Sequence, residues 1–320
     1  MRYLFFLIFS FGFIYAQAHI FVYHRFGDDR YPSANTSIEE LTKQFEYFKQ
    51  NNYKVVDVED IVSKLEKKEK IPSNWVAFAI DDAYKSFYTN GFEIFKKYKY
   101  PFSLYVYVEA TDKGYRDFMS WEELKEADKY GSIGLHSYSH PKLQNLSDKE
   151  IIKDTKKAYD IFTKEMGYKP NVYVYPYGEY TEHVKNILIN NFDFKSIMNQ
   201  NSGSVNNKTD IYDVPRVALV GNVNLKHKLR YTTFDVKWHE PKEFPKDGIL
   251  KNINASVDKK YKKLKLYITG YGWQDVKVKD GIVDITLNIK LKKDRTRVML
   301  GPDVFTISNK ILNKIKKKEN

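Results

Sequence analysis

The sequence predicts an α/β protein in two parts: a parallel β/α barrel, followed by a small all-β domain of the immunoglobulin-like sandwich type. Up to about residue 230, short apolar runs alternate with segments of helical periodicity, which is typical of parallel β/α units. Beyond that point, alternation of apolar and polar residues takes over. Seven or eight β/α units in about 200 residues favour a barrel over an open sheet.

The predicted barrel elements follow one another without long gaps. Ser37 and Ser120 each stand three residues before a glutamate, a capping pattern that marks the start of a helix. Strands are predicted at 19–24, 54–57, 75–80, 102–108, 132–136, 172–175 and 194–198, with a last extended segment at 214–219. The first predicted helix runs from 38 to about 49, the second follows the strand at 54–57 and ends at 70, and the third follows Asp82 and ends at about 98. Further helices are predicted to begin after 120 and to span 147–166 and 182–190.

The second part contains several short strands. Apolar and polar residues alternate at 264–269 and at 276–291, and the pattern continues at 297–300 and 304–308. Asp280-Gly281 lies inside the second of these segments and is a strong signal for a tight hairpin turn. We therefore expect a hairpin centred on this dipeptide, within a small sandwich.

These patterns set the expected domain limits: a signal peptide at 1–18, the barrel at 19–228, the sandwich at 229–313 and a basic tail at 314–320. The first segment combines a basic Arg2, an apolar region and Ala16-Gln17-Ala18 as a cleavage site. Its apolar run is shorter than the ~20 residues that a membrane-spanning helix needs. We expect an exported protein, periplasmic or secreted and associated with the cell envelope, that is not an integral membrane protein.

The composition limits the chemistry. The chain has no cysteine, so it forms no disulfides, and any metal site must use histidine, aspartate or glutamate. The formal net charge of +12 comes mostly from lysines spread over the whole length. A nucleic-acid-binding surface would be clustered and richer in arginine, so we expect no nucleic-acid partner. Diffuse positive charge is compatible with contact to an anionic cell envelope.

Polar residues recur where the predicted barrel strands end. Because the carboxyl ends of parallel barrel strands share one face, which carries the chemistry in barrel enzymes, we expect these side chains to lie together. They are His24, Asp81, Asp82, Glu109, His136, Tyr175 and Asn199.

One aspartate and two histidines can form a three-ligand metal site. Adjacent buried carboxylates such as Asp81 and Asp82 are costly without a neutralising positive charge, and His136 and His140 supply the commonest metal ligand. The second aspartate would stand beside a metal-bound water and could take its proton. The alternatives are that the aspartates cap a helix and that the histidines are ordinary polar residues of a turn.

Three motifs in this order resemble the polysaccharide deacetylase family, also called the NodB-homology or carbohydrate esterase 4 group. They are Ile80-Asp-Asp-Ala83, His136-Ser-Tyr-Ser-His140 and Tyr175-Pro-Tyr-Gly178. The opening Val22-Tyr-His-Arg25 resembles the branch that acts on poly-N-acetylglucosamine. The resemblance spans about residues 20–219 and implies a distorted (β/α)7 barrel.

By position, the resemblance makes Asp82, His136 and His140 the metal ligands and Asp81 the general base. It also implies that the backbone N–H of Tyr177 helps to hold the oxyanion. Histidine and carboxylate ligands suit Zn²⁺, while Co²⁺, Ni²⁺, Mn²⁺ and Fe²⁺ are compatible with the same set.

The sequence departs from the family pattern in three places. Ala83 stands where a glycine usually follows the two aspartates. Val174 stands where an arginine often tethers the base, and Arg216 is our candidate substitute. The late Leu-x-His motif has one match, Leu225-Lys-His227, at the edge of the barrel segment; we favour His24 over His227 as the general acid because it ends the first strand.

Further residues are predicted to contact substrate: Tyr175, Tyr138, Glu109 and Asn199. For Glu109 the alternative is a residue that caps a loop. The expected function is metal-dependent removal of N-acetyl groups from an extracytoplasmic amino-sugar polymer such as peptidoglycan or poly-N-acetylglucosamine. Two alternatives stay open: hydrolysis of O-acetyl esters, and an inactive barrel that acts as a carbohydrate-binding scaffold. The sequence makes no prediction of oligomeric state.

Overall fold

A computed structural model describes residues 17–316, so most of the expected signal peptide and the end of the basic tail lie outside the described residues. Gln17 and Ala18 are described, and Ala18 forms a two-way backbone bridge with Val205. The first ten strands, in chain order, are β1 His19–Tyr23, β2 Arg25–Phe26, β3 Asn35–Thr36, β4 Lys54–Val56, β5 Trp75–Asp82, β6 Ser103–Val106, β7 Ser132–Leu135, β8 Val172–Val174, β9 Ser196–Met198 and β10 Val217–Ala218.

The predicted parallel sheet is present and curls into a barrel. Its strands follow the order β10-β1-β5-β6-β7-β8-β9, and all neighbouring pairs are parallel. One edge of β5 serves two partners, because β4 pairs with its first half and β6 with its second half. A parallel bridge between Met198 and Val214 joins the two ends of the sheet. The predicted fold class of the first part is confirmed.

The helices alternate with the barrel strands as predicted. The Ser37 hydroxyl caps the first helix as expected, and Ser120 forms the full reciprocal capping box with Glu123. At the first helix the reciprocal contact is missing because the Glu40 carboxylate accepts from Gln44 Nε2 instead. The helices are α1 Ile38–Gln50, α2 Val58–Glu66, α3 Phe92–Tyr98, α4 Val108–Asp112, α5 Trp121–Ala127, α6 Asp148–Met166, α7 Glu182–Asn191 and α8 Leu225–Lys228.

The two faces of the barrel sheet pack against different layers, as the period of two along a strand requires. On β5, Phe78 and Ile80 belong to an aromatic-rich core shared with α1 and α3. Ala77 and Ala79 belong to a second cluster of small and β-branched side chains. Alternation therefore assigns Asp81 to the same face as the two alanines, at the end of a strand that is buried from Val76 onward.

The second part is a two-sheet β structure, as predicted. Its strands are β11 Thr232–Thr233, β12 Lys237–Glu240, β13 Ile249–Ser256, β14 Lys263–Ile268, β15 Gly272–Lys277, β16 Ile282–Lys290, β17 Arg295–Gly301 and β18 Thr306–Asn313. One sheet has the order β11-β18-β17-β14-β15 and the other β12-β13-β16. Apolar side chains of both sheets, including Leu266 and Val283, form one core.

The expected hairpin at Asp280-Gly281 is only partly present. Both residues have positive φ, and a bridge between Lys279 and Ile282 closes the tight turn. The strands on either side, β15 and β16, enter different sheets, so no ladder extends from the turn. The turn acts as the corner between the two layers of the sandwich.

No helix within residues 17–316 is long and apolar enough to cross a membrane. The sandwich packs directly on barrel loops: Asn309 Nδ2 donates to the Ser202 carbonyl at 2.9 Å, and Asn313 Nδ2 donates to the Tyr180 carbonyl at 3.3 Å. A cavity of about 1260 Å³ lies between the two parts and is lined by none of the predicted site residues.

Candidate metal centre

The two aspartates lie inside β5, at its carboxyl end, rather than after the strand. Asp81 and Asp82 are in register with Tyr105 and Val106 of β6, so the neighbouring strand fixes their positions. The backbone then turns through the left-handed region, with φ 70° at Asp82 and 57° at Ala83. This conformation costs a non-glycine residue about 1–2 kcal/mol. The positive φ explains why glycine is the usual residue at position 83.

Asp82, His136 and His140 bring three ligand atoms together. Asp82 Oδ1 lies 3.5 Å from His136 Nε2 and 3.3 Å from His140 Nε2, and the two histidine nitrogens are 3.2 Å apart. A tetrahedral ion with ligand bonds of about 2.0–2.1 Å would separate its ligand atoms by about 3.3–3.4 Å. The three residues therefore fit a divalent ion such as Zn²⁺, with at least one coordination position left open.

Each histidine is held in place by polar contacts. His136 Nδ1 lies 2.9 Å from the Val174 carbonyl, which fixes Nδ1 as the donor and leaves the Nε2 lone pair for a metal. The loop between the histidines is tied to α6, because the Asp154 carboxylate accepts the N–H groups of Tyr138 and Ser139 at 3.0 and 2.9 Å. Nothing in the sequence pattern pointed to Asp154, which is 16 and 15 residues away from the two residues that it contacts.

Burial determines the protonation of the three ligands. It lowers the pKa of His136 to about 3 and shifts the pKa of His140 in the same direction, so both imidazoles are neutral near pH 7. Burial also raises the pKa of the Asp82 carboxyl to about 6, and the negative charge of Asp81 adds to this rise. The Tyr84 hydroxyl donates a hydrogen bond to the Asp82 carboxylate and opposes it. A cation binds best to imidazoles that are neutral and to a buried carboxylate whose negative charge is not neutralised by another group.

Asp81 and Arg216 form a bidentate ion pair. Arg216 Nη1 donates to Oδ1 at 2.6 Å and Nη2 to Oδ2 at 2.9 Å, and neither side chain is exposed. Arg216 Nε donates to the Asn199 carbonyl at 2.8 Å, and Gln200 Nε2 reaches Asp81 Oδ2 at 3.3 Å. Burial alone would raise the pKa of Asp81, but the charge and hydrogen bonds of Arg216 hold it well below its usual range. Asp81 is thus ionised and cannot rotate freely.

The two candidate acid histidines lie in different places. His24 Nε2 is 4.0 Å from Asp81 Oδ2, and its side chain is 21% exposed. His24 Nδ1 is buried, with no hydrogen-bond partner among the described residues. His227 is an exposed residue of α8, where its ring packs on Tyr231 and on Phe305 of the sandwich. Of the two, only His24 is in contact with the Asp81 carboxylate.

The third motif forms a tight 3₁₀ turn at Pro176–Gly178, with φ 61° at Tyr177. Gly178 is needed there because a Cβ atom would lie 2.7 Å from the backbone nitrogen of Gln200. The Tyr177 ring packs on His140 at a centroid distance of 4.5 Å. Its carbonyl accepts a 3.0 Å hydrogen bond from Arg295 Nη1, at the start of β17. The sandwich therefore contacts the motif that follows β8 directly, which the sequence did not predict.

Three of the four predicted substrate contacts are buried. Tyr175 is fully buried and stacks on Tyr180, and Asn199 is 2% exposed and hydrogen-bonds to Asp213. Tyr138 is 8% exposed beneath Lys157. Because these side chains offer a polymer almost no surface, we assign them to support of the site rather than to substrate. Glu109 lies in α4 instead of ending a strand, and its carboxylate pairs with Lys113.

The fold and these contacts define a β/α-barrel protein with a candidate metal centre at the carboxyl ends of its strands. Residues 68–192 match the family model described as polysaccharide deacetylase. Poly-beta-1,6-N-acetyl-D-glucosamine N-deacetylase from Staphylococcus aureus is 24% identical over 223 residues, which cover 66% of this chain and 76% of the relative. The Escherichia coli protein of the same name is 22% identical over 244 residues, covering 62% of this chain and 35% of the relative.

Two solved structures share the barrel fold. Streptococcus pyogenes deacetylase PplD, solved in complex with acetate, superposes with a TM-score of 0.62 at 20% identity and covers 67% of this chain and 97% of its own. IcaB from Ammonifex degensii gives a TM-score of 0.56 at 23% identity and covers 64% of this chain and 92% of its own. Residues 68–192 are therefore a polysaccharide deacetylase domain by their match to the family model, and the resemblance and enzyme class predicted from the motifs are confirmed at that level.

Proposed function

We propose that the protein is a metal-dependent hydrolase that removes N-acetyl groups from an extracytoplasmic amino-sugar polysaccharide of the poly-N-acetylglucosamine or peptidoglycan type. One observation carries the proposal: a complete Asp82, His136 and His140 ligand set lies next to the ionised Asp81–Arg216 pair. An inactive scaffold would have no need to keep both groups buried together. The names of the S. aureus and E. coli relatives support a poly-N-acetylglucosamine substrate.

Asp82, His136 and His140 would hold the ion, and we favour Zn²⁺ because two imidazoles and one carboxylate suit it. A bound divalent ion would polarise the acetamide carbonyl and acidify a water molecule. Asp81 accepts the proton of the attacking water, since the two hydrogen bonds from Arg216 keep its carboxylate ionised and fix its orientation. The Tyr177 N–H donates to the oxyanion that develops on the acetamide carbonyl oxygen when water attacks the carbon.

His24 completes the proton path in this proposal. Its Nε2 lies 4.0 Å from Asp81 Oδ2, so a proton taken up by Asp81 can pass to the imidazole and from there to the leaving amine. An amine is a poor leaving group until it is protonated, so loss of His24 should slow amide hydrolysis more than ester hydrolysis. Comparing His24→Ala on N-acetyl and O-acetyl sugars therefore tests both the general acid and the esterase alternative.

We also propose that the protein works outside the cytoplasm. The basic start, apolar region and Ala16-Gln17-Ala18 site at residues 1–18 support export, and the net charge of +12 favours contact with an anionic envelope. N-terminal sequencing of the protein recovered from the culture medium or envelope fraction, beginning at His19, is the expected result. Recovery from the cytoplasm with Met1 intact would contradict it.

The activity is tested by acetate release from β-1,6-linked N-acetylglucosamine oligomers and from peptidoglycan. We expect release by the purified protein, loss of release with a chelator and recovery on addition of Zn²⁺. His136→Ala should be inactive, whereas His183→Ala, which removes an exposed histidine paired with Asp148, should be fully active. Release that persists with chelator, or in His136→Ala, would refute the metal-dependent mechanism.

A further inference from the structure

Aromatic side chains extend outward from the metal ligand His140 in a continuous series. Besides the Tyr177 ring described above, the Tyr107 ring lies 5.5 Å from the His140 ring. Tyr107 in turn contacts Phe118 at 5.5 Å. Phe118 is the centre of the series, because it also contacts Tyr84 at 4.8 Å and Tyr115 at 6.4 Å.

The far end of the series is built around an arginine. The Arg25 guanidinium lies between two rings, 3.6 Å from the centroid of Tyr84 and 4.0 Å from that of Tyr31. Arg25 Nη1 is fixed by a 2.6 Å hydrogen bond to Asp28. We call the six rings the aromatic arc: Tyr177, Tyr107, Phe118, Tyr115, Tyr84 and Tyr31.

The arc is open to solvent at both ends and on one side branch. Tyr31, Tyr115 and Tyr177 are 45%, 43% and 44% exposed, whereas the aromatic side chains of the barrel core are fully buried. The three exposed rings are joined by the half-buried rings of Tyr107, Phe118 and Tyr84. A series of accessible rings next to a functional site indicates ligand binding. Five of the six rings are tyrosines, so the surface combines flat apolar faces with hydroxyl groups.

The charges at the Arg25 end of the arc are balanced. Arg25 and Arg30 are matched by Asp28 and Asp117, which they contact at 2.6–3.4 Å. This end of the arc therefore offers neither excess positive charge for an anionic polymer or lipid nor excess negative charge for a cationic one. An uncharged chain whose rings have an apolar face and hydroxylated edges matches it best.

We propose that the aromatic arc is an extended binding subsite for the pyranose rings that flank the sugar undergoing deacetylation. The inference rests on the proposed function and deepens it, since it assigns the surface that binds the sugar units on either side of the reacting one. Tyr177 and Tyr107 contact the metal ligand His140, so a chain lying along the arc passes directly over the ligand set.

The test compares substrates of different length on variants at the ends of the arc. Tyr31 and Tyr115 touch none of the metal ligands, so the double variant Tyr31→Ala/Tyr115→Ala leaves the centre intact. The matched control is Tyr130→Ala/Tyr271→Ala, which removes two equally exposed tyrosines (49% and 44%) away from the arc. For each protein, kcat/KM is measured on the dimer and the pentamer of β-1,6-linked N-acetylglucosamine, together with the bound metal content.

We expect the arc variant to lose about tenfold in kcat/KM on the pentamer, through a raised KM, and to match the wild type on the dimer. Metal content should be unchanged, and the control variant should behave as the wild type on both substrates. Equal losses on dimer and pentamer, or no loss on either, would overturn the arc as a subsite. Failure of the proposed function is distinguishable, because then the wild-type protein releases no acetate from any oligomer.

Discussion

Replacement of Arg216 by methionine should both destabilise the protein and disable Asp81, the proposed base. Methionine has a similar length but cannot donate, so Asp81 would be left as a buried carboxylate without its two charged hydrogen bonds. Breaking one side of a buried ion pair costs about 3–5 kcal/mol. At about 2–4 °C per kcal/mol for a domain of this size, the melting temperature of the barrel should fall by roughly 10 °C.

The same replacement should move the pH dependence of the activity. Burial is the largest influence on Asp81, and without Arg216 it raises the pKa of this carboxyl instead of being outweighed. The carboxyl would then take up its proton at a higher pH than in the wild type. We expect the acid limb of the kcat/KM profile for acetate release to shift to higher pH, with bound metal content measured in parallel and unchanged.

The double variant Asp81→Asn/Arg216→Met separates stability from catalysis. Removing both charges leaves no unpaired ion, so most of the lost stability should return, while acetate release should stay absent because the base is gone. Denaturant unfolding of the wild type, Arg216→Met and the double variant measures the first effect. If Arg216→Met unfolds at the same denaturant concentration as the wild type, or keeps its acid limb, the reasoning about this ion pair is wrong.

Three further predictions concern the metal, the sandwich and pH. Zn²⁺ at a hundredfold excess over its dissociation constant should stabilise the wild type by about 2.7 kcal/mol but leave the melting temperature of His140→Ala unchanged. Arg295→Ala should lower kcat with KM and metal content unchanged, because the Tyr177 carbonyl loses its hydrogen-bond donor. The control Arg297→Ala, at an exposed position nearby, should have no effect, and equal kcat values for the two variants would contradict the prediction. Burial raises the pKa of Asp57 from 3.8 to about 6, so the contribution of its protonated carboxyl to stability is complete below about pH 4 and is lost as pH rises through 6. In the wild type, urea unfolding should therefore show a loss of roughly 3 kcal/mol between pH 4 and 7, and Asp57→Asn should remove this loss. An unchanged pH dependence in the variant would refute the reasoning.

The sequence predicted the barrel well because its signals are local. The alternation of strands and helices, the serine caps and the Asp81-Asp82 pair at the end of a buried strand are all readable from neighbouring residues. The hairpin at Asp280-Gly281 shows the limit of such signals. The dipeptide determines the turn, but the core of the sandwich determines that the two strands enter different sheets.

The parts of the site that were missed depend on contacts between distant segments. Gln200 and Tyr84 reach the two aspartates through space, and neither belongs to a motif in the sequence. The sequence also did not show in which direction the side chains of Tyr175 and Asn199 point. Both residues follow strands as expected, but their side chains are buried. Position along a strand can be inferred from a sequence pattern, whereas the inward or outward direction of a residue beyond the strand end is set by tertiary packing.

The hydrogen bond from Arg295 to the Tyr177 carbonyl has a consequence for how the two parts of the chain can be separated. A barrel ending at residue 228 would keep every predicted metal ligand, the base and the candidate acid, yet it would lose the donor that holds the third motif. The carbonyls of Tyr180 and Ser202 would lose their partners in the same cut. Exchange of the sandwich for one from a relative would therefore transmit changes to the candidate metal centre through the Tyr177 carbonyl, so the two parts have to vary together.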